Sequence, residues 1–406
     1  MIPMPKREPS LINASEYGFL PSNTGERNAA ALNKAVGEYE TVLVTEPGIY
    51  DMAGTVRLPS NTHLKFSPGV VLRRVPLADK NLEGNLFINE GAFTGQYNEN
   101  ISISGAHIVV NGVESAGAAP ESKNVIAGLR GHIAFLYIKN LLIEDVLITD
   151  LCPKDYGIQI SDFLNAEVRR VHIEGLKDGV HFGPGRGFAV RDSVFRTYDD
   201  AIALNCADYS VSNPNFGSIE DGIIENCTEL PGYKTEAFFL RILVGTARRW
   251  QKGMTVYHSD AILTESGMYR VVMRPDNTPY VTLTEPDFES GYKTLDGIQW
   301  VKTHLGYKAD EIPLTAGCKN IVCRNLCFEN ERRRGVYIYS SFDEYLRSYY
   351  RGSELPVVEN ITFENIHILK PISGFLATNL RPENLHFINS SVTDANIIYE
   401  QNGQID

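Results

Sequence analysis

The alternation of hydrophobic and polar positions changes period once along this chain. Across residues 25–38, Ala29, Leu32, Ala35 and Val36, with Tyr39 just beyond, recur at the spacing of one helix face. That predicts a single short amphipathic helix. Afterwards the apolar residues come in short β-branched runs, such as "ETVLVTEPGIYD", "GTVRLPSNTHLKFSPGVVLRR" and "NISISGAHIVVNG", separated by Gly, Asn, Pro and Asp. These read as strands divided by turns.

The runs repeat. The segments "NLLIEDVLITD" (140–150), "NAEVRRVHIEG" (165–175), "GFAVRDSVFRT" (187–197), "DGIIENCTEL" (221–230), "KNIVCRNLCFEN" (319–330), "ENITFENIHIL" (359–369) and "ENLHFINSSVTD" (383–394) share one pattern. Each has a polar start and then apolar–x–polar–apolar alternation. A period of about 20–25 residues, with strands and turns but little helix, predicts a solenoid of parallel β-coils. Equivalent side chains then stack roughly 4.8 Å apart along the axis. A β-sandwich with coincidental spacing is the alternative.

The register fails over 245–312, a stretch far too long for one coil. The expected organisation is therefore a β-helix from 1–244 and 313–406, with 245–312 as an inserted small β-rich module. Trp250, Trp300, Tyr257, Tyr269 and Tyr280 in it serve either to stack on sugar rings or to fill the module's own core.

Composition narrows the partners. Hydrophobic residues at 43% and charged residues at 22% describe an ordinary soluble protein, and 34 glycines suit a chain of many turns. A net charge of −12 without any block of like charge makes nucleic acid and anionic membrane unfavourable partners. Cys152, Cys206, Cys227, Cys318, Cys323 and Cys327 make no paired zinc-site spacing and are expected as buried free thiols. The start "MIPMPKREPSLINASEYGF" has no apolar leader segment, and no stretch is long enough to span a bilayer. The expectation is a cytoplasmic protein or a secreted one trimmed of its leader, needing no cofactor and no metal.

The chemistry concentrates in "LKDGVHFGPGRGFAVRDSVFRTYDDAIAL" (176–204). Asp178 precedes Asp199 by one coil length, so Asp178, Asp199 and Asp200 would gather on neighbouring coils. Like charges raise one another's pKa, which leaves one carboxyl protonated and the others ionised. An acid beside a base is what inverting glycoside hydrolysis needs, with the two about 6.5–9.5 Å apart. A strand sends adjacent side chains to opposite faces. Both aspartates can reach one cleft only if the chain bends near Tyr198–Asp200. Two unrelated surface turns are the plainer alternative.

The order Asp-Gly-Val at 178–180, Asp-Asp-x-Ile-Ala-Leu at 199–204 and Arg-Ile-x at 241–243 resembles glycoside hydrolase family 28, the polygalacturonases and their relatives. The stretch from "SEYGFLPSNTGERNAAALNKAV" to "GTVRLPSNTHLKFSPGVVLRR" is similar to the start shared by that family and other pectin-lyase-like β-helices. The likeness covers roughly 14–244 and 313–394. It implies an all-β, right-handed parallel β-helix that hydrolyses a glycosidic bond with inversion and without metal, on an oligo- or polysaccharide of pectin type or a related one. Asp199 matches the general acid, and Asp178 with Asp200 matches the pair that activates water. Arg241 matches the arginine of the family's Arg-Ile-Lys substrate motif.

The chain also departs from that pattern. Leu176-Lys177 stands where the family has Asn-Thr, Leu243 replaces the lysine, and the Gly-His-Gly motif has no counterpart. His181, near Asp178, is the candidate to take the histidine's place in binding substrate, and Tyr198, flanking the pair, is a further substrate-binding candidate. Further along, Asp343, Arg347 and Tyr350, with Tyr349 and Arg351, make a Tyr/Arg-rich loop suited to sugar contacts. Asp155 and Tyr156, one coil before Asp178, are a possible rim. The insertion suggests exo-action. Two rival functions remain: a calcium-dependent polysaccharide lyase whose three aspartates hold Ca²⁺, and a non-catalytic carbohydrate-binding or structural β-helix.

Overall fold

The computed structural model describes residues 8–80, 83–115, 126–233, 237–272, 278–332, 334–341, 347–350, 353–370, 372, 374–390 and 397–399. Short strands follow one another around coils, and each strand pairs in parallel with its counterpart a coil later. Ile133–Glu144 lies on Ile158–Arg169, and this strand's second half lies on Gly185–Arg191. Ile219–Glu225, Cys318–Phe328, Val358–Ile368 and Glu383–Ile388 continue the stack. The result is a right-handed parallel β-helix whose coils form one continuous sheet.

The polar residue that opens each repeat has a structural reason. Asn140, Asn165, Asp221, Asn320, Asn360 and Asn384 all adopt positive φ at the same corner, a backbone state that Asn and Asp tolerate better than other side chains. Their amides then bond from coil to coil: Asn360 Nδ2 to Asn320 Oδ1 at 2.9 Å, Asn320 Nδ2 to Asp221 Oδ1 at 2.8 Å, Asn384 Nδ2 to Asn360 Oδ1 at 3.0 Å. Asn320→Ala is expected to cost about 2–3 kcal/mol, combining αL strain with two lost hydrogen bonds. Asn320→Gly, free of that strain, should lose less. Equal losses by urea denaturation would contradict this reading.

Inside, alternate side chains fill the coil. Phe195, Phe239, Phe328 and Phe375 stack edge to face up the core. The helix Gly25–Glu38, capped by Thr24, lays Ala29, Leu32, Ala35 and Val36 against the first strands. Such a cap shields the apolar end of a solenoid. Cys206, Cys227, Cys318 and Cys323 are buried, Cys152 and Cys327 half-buried, and all six are free thiols.

One corner carries most of the irregular chain. The strands Val180–Phe182, Ile202–Asn205, Leu240–Leu243 and Arg334–Tyr339 are stacked in register. The last three are followed by long excursions over 206–218, 244–317 and 340–357 before the next strand begins. Within 248–302, Arg248–Arg249, Ala261–Thr264, Gly267–Val271, Tyr292–Leu295 and Ile298–Lys302 form a separate five-stranded sheet, mostly antiparallel. Tyr269 and Trp300 fill its core, with Trp250 and Tyr280 packed beside them. From this sheet the buried Arg270 donates to the carbonyls of Asn213 (2.8 Å), Asp208 and Ser259 (3.0 Å). The first two excursions are thus joined through Arg270, and the second meets the third where the Thr246 amide donates to the Ser348 carbonyl at 2.6 Å.

Candidate active site

At the opposite end of the same strands the chain bends. Strand Val194–Thr197 stops before Tyr198 and the next begins at Ile202, so "TYDDAIALN" is two strands with a corner between them. Asp199 and Asp200 occupy that corner. Buried Arg332, paired with Glu229, donates to the carbonyls of Thr197 and Asp199 (both 3.2 Å) and braces it from behind.

The coil step here is 22 residues (180 to 202) rather than 21. Asp178 therefore sits opposite Asp200, and Lys177 opposite Asp199. One oxygen from each of Asp178, Asp199 and Asp200 lies within 4.8 Å of the other two. Lys177 draws the groups together: its ammonium bonds Asp199 Oδ2 and lies 3.7 Å from Asp178 Oδ1.

The three carboxyls differ in surroundings. Asp178 and Asp200 are buried, while the side chain of Asp199 keeps 24% of its surface open. His181 Nδ1 donates to Asp178 Oδ2 at 2.9 Å, and Oδ1 is buried without a hydrogen-bond partner. Asp200 accepts from the Phe238 amide (3.0 Å) and from Arg241 (3.3 Å). Burial, reinforced by the Asp199 charge, pushes Asp178 up to about 7 and Asp200 up to about 8. Burial acts the same way on Asp199, but the charge and hydrogen bond of Lys177 outweigh it and hold this carboxyl below its ordinary value. Burial opposes the Lys177 charge, yet Asp178, Tyr156 and Asp199 together raise its pKa, so it stays an ammonium.

Arg241 and His181 turn inward. Arg241 spends its fork on the protein: Nε on Asn205 Oδ1 (3.2 Å), Nη1 on Asp200 (3.3 Å), Nη2 on Asp208 (2.9 Å). His181 is fully buried, its ring stacked on Tyr156 at 4.1 Å, and burial lowers its pKa to about 3. Asn205 Nδ2 faces its Nε2 at 3.3 Å, which assigns the proton to Nδ1. Both bond carboxylates of the cluster, His181 to Asp178 and Arg241 to Asp200 and Asp208. Tyr198, by contrast, is 49% exposed, edge-on to Tyr233, and with exposed Leu176 makes an open lip beside the aspartates.

The other predicted residues gather elsewhere. Arg347 lies over the Tyr257 ring (4.0 Å), Tyr350 bonds Asp260, and Arg248 covers the Tyr350 ring (3.7 Å) while pairing with Asp260 at 2.5 Å. They join the late loop to the 245–312 segment. Asp343 falls outside the described residues. Asp155 is buried on Ser115, and Tyr156 is buried under Lys177 and Arg130.

Sequence reasoning missed Lys177 as a partner of Asp199, although the 22-residue step would have found it. It missed Asp208 as the second anchor of Arg241, and no spacing signal marks that residue. It also passed over Tyr337 and Tyr339, whose half-buried rings stack at 4.1 Å one coil beyond Arg241.

Three carboxylates suit Ca²⁺ in kind. Here the Lys177 ammonium takes a cation's place against two of them, so these residues do not fit a resident metal.

No protein-family model matches the chain, and no curated protein matches it. Among solved structures it is similar to the surface adhesin PfbA of Streptococcus pneumoniae (16% identical, TM-score 0.47, over 93% of this chain and 85% of that one). It is similar also to the family 28 exopolygalacturonase of Yersinia enterocolitica (11%, TM-score 0.46, 98% and 80%) and to a polygalacturonase from Erwinia carotovora (13%, TM-score 0.49, 99% and 99%). These are pectin-lyase-like β-helix proteins. An adhesin and two polygalacturonases stand side by side at such low identity, so function has to be argued from the site itself.

Proposed function

We propose that the protein is a glycoside hydrolase of the family 28 kind, cleaving a glycosidic bond in a pectin-type or related oligosaccharide by a three-carboxylate mechanism. The observation that carries this reading is the cluster itself: one open carboxylate held ionised beside two buried carboxyls that retain protons near neutrality. Asp178 accepts the His181 proton on Oδ2, so its own proton belongs on Oδ1, the oxygen that shares Lys177 with Asp199. Passing that proton to Asp199 creates both forms at once: Asp199 becomes the acid for the leaving oxygen, and Asp178 becomes the base for water. Asp200, fixed by Arg241 and the Phe238 amide, steadies the pair. In its finer form the proposal is inversion and attack from a chain end.

The alternative stereochemistry, retention with Asp199 as nucleophile, would need the two carboxyl groups only about 5–5.5 Å apart. Proton NMR of the first-released anomer separates the two. Among the described residues, the lyase rival finds no free Lys or Arg base at the cluster, since Lys177 is held charged and Arg241 is committed to Asp200 and Asp208.

Lys177→Met tests the proton's path. Removing the ammonium raises the Asp199 pKa, so the protonated acid persists to higher pH. The basic limb of the kcat/KM profile should then move to higher pH, with the fold intact by circular dichroism. A shift confined to the acidic limb would mean that Asp199 works in its ionised form.

A further inference from the structure

We infer that the sugar unit seated at Asp178, Asp199 and Asp200 is neutral, a hexose or pentose without a carboxylate. This rests on the reading of the aspartate cluster as the point of cleavage.

Recognition of a uronate needs a cation with free donors, because a buried carboxylate without a partner is strongly disfavoured. Among the described residues, the cations at this corner are already committed. Each nitrogen of the Arg241 fork has a protein acceptor, two of them carboxylates. Lys177 is committed to Asp199 and lies against Asp178. Two residues beyond Arg241 on the same strand stands Leu243, apolar and fully buried.

The charge count points the same way. Asp178, Asp199, Asp200 and Asp208 share this cluster with Lys177 and Arg241, four acidic groups against two permanent cations. Even with Asp178 and Asp200 both holding their protons the cluster is only balanced, so an added carboxylate finds no spare positive charge to pair with. What the corner offers an incoming ring is apolar and aromatic surface. Tyr198 and Leu176 are exposed on one side, Tyr198 with Tyr233 edge-on, and the stacked Tyr337 and Tyr339 lie one coil on from Arg241. Such surfaces take the C–H face of a neutral sugar, leaving its hydroxyls to the carboxylates.

The test uses matched oligosaccharides that differ only at C6, hydroxymethyl against carboxylate: galacto- and galacturono-, gluco- and glucurono-, manno- and mannurono-oligosaccharides. Hydrolysis is followed by released reducing ends, and binding by saturation-transfer NMR with Asp199→Asn. In every pair that is cleaved, the neutral member should be cleaved at least tenfold faster. In every pair that binds, it should give the stronger transfer. A uronate cleaved or bound as well as its neutral partner overturns the inference, and so does failure of every neutral member to bind. Binding of neutral members without any hydrolysis supports the inference while refuting the hydrolase reading.

Discussion

Asp199→Asn is expected to lower kcat by about 10³–10⁴-fold, near the upper range for loss of a positioned acid–base group. The amide keeps the shape of the side chain but can neither take the proton from Asp178 nor deliver it to a leaving oxygen. Asp178→Asn should cost a similar factor, since it removes the proton store and the base in one step. Neither loss should come from unfolding. Asp178 is buried with a carboxyl that resists ionisation, and an amide avoids the cost of placing a charge there. Its thermal midpoint at neutral pH should equal or exceed that of the wild type. A variant that loses activity and melts many degrees lower would show that the aspartates hold the fold rather than perform chemistry. Effects on the two sides of the cluster should not add, because one proton serves both residues.

Arg241→Ala is the second large effect, and it falls on stability. The guanidinium is the shared partner of Asp200 and Asp208, both about 1% exposed. Removing one member of a buried pair strands the others, at about 3–5 kcal/mol. Arg241→Lys should recover only part of this, because one ammonium cannot reproduce a three-nitrogen fork reaching Asn205, Asp200 and Asp208. Adding Asp208→Asn to Arg241→Ala should restore some of the loss by removing one stranded charge. Urea denaturation of the four proteins measures these differences. A loss below about 1 kcal/mol for Arg241→Ala would place the arginine in solvent, free for substrate, as the sequence alone suggests.

What could be read from the sequence followed from local rules that the fold obeys. The repeat was legible because each coil needs a residue that tolerates positive φ at one corner, and Asn or Asp recurs there. The short helix was legible from its spacing, and it packs its Ala29, Leu32, Ala35 and Val36 face as that spacing requires. The bend at Tyr198–Asp200 was legible from a misfit, since two adjacent charges do not suit a strand with both faces packed. What escaped was set by contacts between coils. A slip from a 21- to a 22-residue step exchanges the partner of Asp178 from Asp199 to Asp200 and brings Lys177 onto Asp199. Arg241 and His181 were near the aspartates as expected, but no pattern in one sequence reveals that Asp208 and Asn205 hold the arginine or that Tyr156 covers the histidine. The loop residues Arg347 and Tyr350 looked like sugar contacts by composition, whereas in three dimensions they pair with Tyr257, Arg248 and Asp260.

The most direct measurement is a screen of the wild type and Asp199→Asn, side by side, against a broad panel of neutral and acidic oligosaccharides. Released reducing ends are quantified, and proton NMR follows the first turnover. The wild type should cleave a glycosidic bond in at least one of them, with the inverted anomer appearing first, and Asp199→Asn should be at least 10³-fold slower on the same compound. Equal cleavage by the two proteins, or release of an unsaturated sugar in place of a hydrolysed one, would contradict a hydrolase built on Asp178, Asp199 and Asp200.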